Sequence, residues 1–85
     1  MASWNYRIIR RKYDTGEVGY QIHETYYQEG EPWGWTEHAK APYGETPEKL
    51  IQCLERMLAD AKKSVTDIID YDATLEGKGP GLVDP

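Results

Sequence analysis

The chain has 85 residues, 39% of them hydrophobic and 29% charged, enough for one domain with a modest core and too few for a roomy buried active site. Its formal net charge of −5, with the acidic excess after Ala41, argues against default binding of phosphate backbones and suits a basic protein partner. The single cysteine, Cys53, excludes an internal disulfide and a metal site built from cysteines alone.

The first run, Trp4 to Tyr13, alternates, with Trp4, Tyr6 and Ile8 on one face and Asn5, Arg7, Ile9 and Arg11 on the other, which reads as a strand. Asp14-Thr15-Gly16-Glu17 is a hairpin turn whose glycine supplies positive φ. A second strand is expected over about Glu17 to Gln28, with Val18, Tyr20, Ile22, Glu24 and Tyr26 on the core face and His23, Thr25 and Tyr27 opposite. After the turn at Gln28 to Pro32, Trp33 to His38 reads as a third strand with both tryptophans pointing the same way and Gly34 marking a weak point or bulge. Three Trp and seven Tyr with no Phe suit such half-buried strands.

Ala39 to Glu45 leads to the only long helix. Thr46 is its N-cap, Pro47 its first residue, and Glu45 and Glu48 place negative charge at its positive end. Leu50, Ile51, Leu54, Met57, Leu58 and Ala61 follow the spacing of one buried stripe, with Cys53 at its edge. The helix fades near Lys62-Lys63-Ser64. Val65 to Tyr71 reads as a short strand or an extended segment over the core, and residues 72–85 as a flexible acidic, Gly/Pro-rich tail.

The fold expected is therefore α+β: a three-stranded antiparallel meander packed on one helix, βββα, with an extra short strand after it. Residues 1–71 make the single domain. No stretch approaches the roughly 18 apolar residues of a membrane span, and Met1-Ala2-Ser3-Trp4 has no basic region followed by an apolar run, so a cytoplasmic location is expected.

Chemistry is sparse. His23 and His38 are the only histidines, and neither stands in a metal-ligand spacing; no cofactor is expected. Cys53 lies on the helix layer, away from both histidines. Glu24, on the core face, calls for pairing with an arginine or a place near the sheet edge, because an unpaired buried carboxylate is costly. The most suggestive surface is the sheet face expected to be open, where Arg7, Arg11, His23, Tyr27, Thr36 and His38 gather cations and aromatic groups.

The segment Gly44-Glu45-Thr46-Pro47-Glu48-Lys49-Leu50, following a three-stranded layout, resembles the helix entrance of HicB-type antitoxins, which implies a βββα fold over residues 4–63. The chain departs from that family in having no recognisable DNA-binding domain after the helix. Trp4-Asn5-Tyr6-Arg7, Ile22-His23-Glu24 with Tyr26-Tyr27, Trp35-Thr36-Glu37, Pro42-Tyr43-Gly44-Glu45-Thr46 and the helix with Leu54, Met57 and Leu58 together resemble a group of short bacterial proteins, a likeness that implies no activity.

These readings converge on a non-enzymatic binding or regulatory protein that docks a protein partner through the open sheet face or a strand edge. The alternative is a nucleic-acid-binding module using that face. Homodimerisation through a sheet edge is a further expectation.

Overall fold

The computed structural model describes residues 3–72 and the strand 81–83. Strands β1 (Ser3–Lys12), β2 (Val18–Gln28) and β3 (Glu31–Thr36) form the expected meander. Helix α1 (Pro47–Ser64) follows, then the short strands β4 (Ile69–Asp70) and β5 (Gly81–Val83). All five strands lie in one sheet of order β4-β1-β2-β3-β5. The two added strands run parallel to their neighbours, β4 to β1 and β5 to β3. Part of the expected tail is therefore sheet; residues 73–80 and 84–85 lie outside the described residues.

Both hairpins follow from their turn residues. Between β1 and β2, Tyr13 and Glu17 close the loop through a 2.8 Å backbone bond, with Gly16 at φ 90°. Between β2 and β3, Gln28 pairs with Glu31, so the loop is Glu29-Gly30, and both residues have positive φ (54° and 81°). That is the two-residue turn whose twist suits antiparallel strands.

The third strand ends two residues earlier than expected, at Thr36, and it carries a bulge. Tyr26 pairs with Gly34 but Tyr27 with Pro32, leaving Trp33 as the extra residue. The two tryptophans consequently do not share a face. Trp33 is exposed beside Tyr26, with ring centroids 6.1 Å apart, whereas Trp35 is fully buried with Ile9 and Tyr71. One inserted residue reverses every later side chain, which a strict alternation count does not allow for.

Helix α1 starts where its capping residues place it. Thr46 is extended (φ −133°), its hydroxyl accepts from Lys49 N–H at 3.2 Å, and its carbonyl accepts from Leu50 N–H at 3.0 Å. The helix then lies along the outer part of β1. Three N–H groups on that edge find side-chain partners: Tyr6 N–H donates to Asp60 at 3.1 Å, Ile8 N–H to Ser64 Oγ at 3.4 Å, and Lys12 N–H to Asp72 at 2.9 Å. Between Ile8 and Lys12, Arg10 sits in the ladder with Asp70 of β4. The edge that could have paired with another strand is closed by side chains.

The helix stripe is less buried than its spacing suggests. Met57 is buried and Leu50 and Ala61 half-buried, but Ile51, Leu54 and Leu58 are exposed. The reason is position: sitting over β1, α1 reaches the sheet with only one flank of its apolar arc. No helix among the described residues is long and apolar enough to cross a membrane.

Candidate functional site

The sheet face expected to be open is closed. Arg7, His23 and Thr36 are buried on it with Ile9, Thr25 and Trp35, under Ile69 and Tyr71. Ile9 and Trp35 demand a cover, and the segment after α1 supplies it.

Strand register brings most of the six singled-out residues together, in structural roles. Arg7 stands opposite His23 in the β1–β2 ladder. Its Nη1 donates to the Tyr27 hydroxyl at 2.8 Å, and its Nη2 donates to the Asp67 carbonyl and lies 3.3 Å from the Asp67 carboxylate. Arg7 thus ties the segment after the helix to β2. His23 Nδ1 donates to the Thr36 carbonyl at 2.7 Å, and the Thr36 hydroxyl, 3.3 Å from the same nitrogen, donates to the His38 carbonyl at 2.8 Å. Burial pushes the His23 pKa down, against the Thr36 carbonyl, which favours the charged form; the positive charge of Arg11 and the nearby His38 push it further down. The ring is held neutral.

Arg11 stacks over Tyr71, its guanidinium carbon 4.3 Å from the ring centroid. His38 contributes only its carbonyl to the cluster; its ring is exposed, 3.6 Å from Glu37. A polar cavity of about 140 Å³ opens beside Asn5, Arg7, Tyr27, Lys63 and Asp67. Asn5 Oδ1 and Arg7 Nε are buried without a hydrogen-bond partner among the described residues, as are Thr25 Oγ1 and Trp35 Nε1. These atoms carry a desolvation cost of about 1 to 3 kcal/mol each, so packing on this face is the tighter constraint.

The other candidates also take structural partners. Glu24 accepts from the Tyr26 hydroxyl at 2.9 Å and pairs at 3.5 Å with Lys40, a lysine in place of the expected arginine. Cys53 lies on the helix side, 3.8 Å from the Tyr6 hydroxyl, with the sheet between it and His23. Burial, then the bond to Cys53, pushes the Tyr6 hydroxyl pKa up to about 12. Among the described residues, no three His, Cys, Asp or Glu side chains are grouped to hold a metal ion.

The surface that sequence reasoning missed is the helix side of the sheet. Because α1 covers β1 only, Ile51, Leu54 and Leu58 on the helix, Val65 just after it, and Val18 and Tyr20 on β2 remain exposed. Between them runs an apolar groove of about 230 Å³ lined by Ile8, Tyr20, Gln21, Ile22 and Ala61. At the other end of this face, Trp4 stands opposite Tyr26 across the strands, and Trp33 stacks near Tyr26, making an aromatic row over three strands. Arg56 of α1 lies 4.1 Å over the Trp4 ring. A signal for this surface was present: Ile51, Leu58 and Val65 recur every seven residues, the period of a helix seam facing another helix.

Comparison with known protein families, with curated proteins and with solved structures finds no match, so the likeness to HicB-type antitoxins rests on residues 44–50 and the order of elements.

Proposed function

We propose that the protein is a small non-enzymatic docking module of the cytoplasm that works through protein–protein contacts on the helix side of its sheet. One observation carries this reading: α1 packs on β1 and leaves Leu54 and Leu58 on the helix and Tyr20 on β2 exposed, with an apolar groove between helix and β2. Ile51, Leu54, Leu58, Val65, Val18 and Tyr20 are each 44–60% exposed, and clustered apolar exposure marks interaction sites. The aromatic row Trp4, Tyr26 and Trp33 adds rigid side chains of the kind that dominate binding energy at interfaces.

The nucleic-acid alternative draws less support. Its cation and ring system, Arg7 and His23, is buried, and the chain is acidic. Site-specific photo-cross-linking tests the docking reading. A photoreactive residue at position 58 or 33, expressed in cells, is expected to capture protein, and the same residue at position 17 in the hairpin turn is not. No protein adduct at either 58 or 33 would refute the reading.

A further inference from the structure

We infer that the exposed stripe of α1 is the seam of a homodimer, in which α1 packs antiparallel against α1 of a second copy about a two-fold axis at Leu58. This rests on the docking reading above and names the occupant of the helical part of that surface.

Self-complementarity about one point is the first argument. Ile51 and Val65 lie at equal distances before and after Leu58, and all three are exposed on one line of the helix and the residue that follows it. Turning a second helix end for end therefore sets Leu58 against its own copy and Ile51 against Val65 of the second copy. A two-fold contact requires a patch that matches itself in this way.

Charge gives the second argument. Glu55 and Lys62, on the line next to the stripe, are exposed, and neither has an ion-pair partner among the described residues, whereas the neighbouring Lys49 and Arg56 are paired with Glu45 and Asp60. In the antiparallel arrangement Glu55 of each copy falls opposite Lys62 of the other, so one geometry makes two opposite-charge pairs. A parallel arrangement would put Glu55 and Lys62 of the two copies on opposite flanks of the seam, where they make no such pairs. The sequence thus selects the antiparallel pairing, as charges flanking a helix seam commonly do.

Area gives the third. Ile51, Leu54, Leu58 and Val65 are each about half exposed, so the seam is small beside the ~800 Å² per partner of a standard stable interface. A dimer dependent on concentration is expected, which leaves the aromatic row at the far end of each sheet exposed for other partners.

Sedimentation equilibrium of the full chain tests the inference. Wild type is expected to shift from monomer to dimer with concentration. Leu58→Glu, which sets two carboxylates against each other at the axis, is expected to remain monomeric while keeping wild-type helix content, since position 58 is exposed in the monomer. Glu55→Lys or Lys62→Glu alone is expected to weaken dimerisation about tenfold, because symmetry turns each change into two like-charge contacts. The double reversal is expected to restore wild-type affinity within about threefold, because both pairs are re-formed with exchanged signs. A chain that stays monomeric at every concentration, a dimer indifferent to Leu58→Glu, or a double reversal no better than the single ones would overturn the inference. The photo-cross-linker at position 58 separates this failure from that of the docking reading. A monomeric chain captured by a different protein leaves the reading standing without the homodimer; no adduct at 58 removes the homodimer, and no adduct at 33 as well removes both.

Discussion

Replacing Gly44 with alanine should damage this fold more than its place in a half-exposed loop suggests. A Cβ at residue 44 would lie 2.2 Å from Leu50 N, 2.5 Å from the Lys49 carbonyl carbon and 2.7 Å from Leu50 Cα. All three are backbone atoms of the first helical turn, so no side chain can swing aside to make room. Either the loop moves away or the turn opens, and opening it also loosens the Thr46 cap, whose hydroxyl serves Lys49 N–H. Overpacking costs about 1 to 3 kcal/mol and a lost cap about 1 kcal/mol, so the expected loss is about 2 to 3 kcal/mol. In a domain of this size that lowers Tm by about 10 to 20 °C. Urea unfolding followed by far-ultraviolet circular dichroism measures it. Gly16→Ala is the companion variant: its φ of 90° makes alanine unfavourable, but nothing lies within 4 Å of the new Cβ, so about 1 kcal/mol is expected. A Gly44→Ala loss below about 0.5 kcal/mol, or one smaller than that of Gly16→Ala, would show that the helix entrance does not depend on this close approach.

Arg7→Met should destabilise the domain by about 2 to 3 kcal/mol in the same urea assay, because it removes the buried bonds to Tyr27 and to the Asp67 carbonyl. Asp67→Asn should cost well under 1 kcal/mol, since that carboxylate is almost fully exposed; equal losses would contradict the assignment of Arg7 as a buried tie. Tyr6, with its pKa pushed up to about 12, keeps its proton in the folded chain above pH 10, where the unfolded chain loses it. The folded state then binds more protons, so stability should fall as pH rises from about 10 to about 12, and Tyr6→Phe should flatten that fall.

Local chemistry was the legible part of this chain. Thr46-Pro47 fixed the helix start, Gly16 and Gly30 the two turns, and alternation the β1–β2 pairing, because each depends on residues close in sequence. What was not legible depends on distant partners. The cover over Ile9 and Trp35 comes from the segment after α1, including Tyr71; Val65 to Tyr71 was expected over the core, but a count of one apolar face per strand gave no reason to place it on the face opposite the helix. The candidate face was misjudged for the same cause. Arg7, His23 and Tyr27 look like a surface cluster when polarity is taken to mean exposure, yet each bonds a partner far along the chain or on another strand. Conversely, leucines at helical spacing look like core, and whether they are depends on where the helix sits across the sheet. Here α1 is drawn to the β1 edge by Asp60 and Ser64, two polar side chains whose task was invisible without the strand N–H groups they accept from.

His23 makes that polar interior sensitive to acid. In the folded chain its burial lowers the pKa below the ordinary 6.5, and the cation Arg11 and the nearby His38 act in the same direction. In the unfolded chain the ring titrates normally. Below about pH 6.5 the unfolded state therefore binds the extra proton first, and stability must fall as the pH drops toward the folded pKa, by at most about 1.4 kcal/mol per pH unit for one proton. Native Nδ1 already donates to the Thr36 carbonyl, so protonation falls on Nε2, 3.2 Å from the Gln21 amide oxygen. That oxygen can receive the new N–H, which softens the penalty without removing the cost of a charge beside Arg11. His23→Gln should unfold with a shallower dependence between about pH 6.5 and 5, the window above most carboxylate titration. If wild type and variant lose stability in parallel there, the acid sensitivity belongs to other groups and the neutral, buried state of His23 is not what holds the end of β3 to β2.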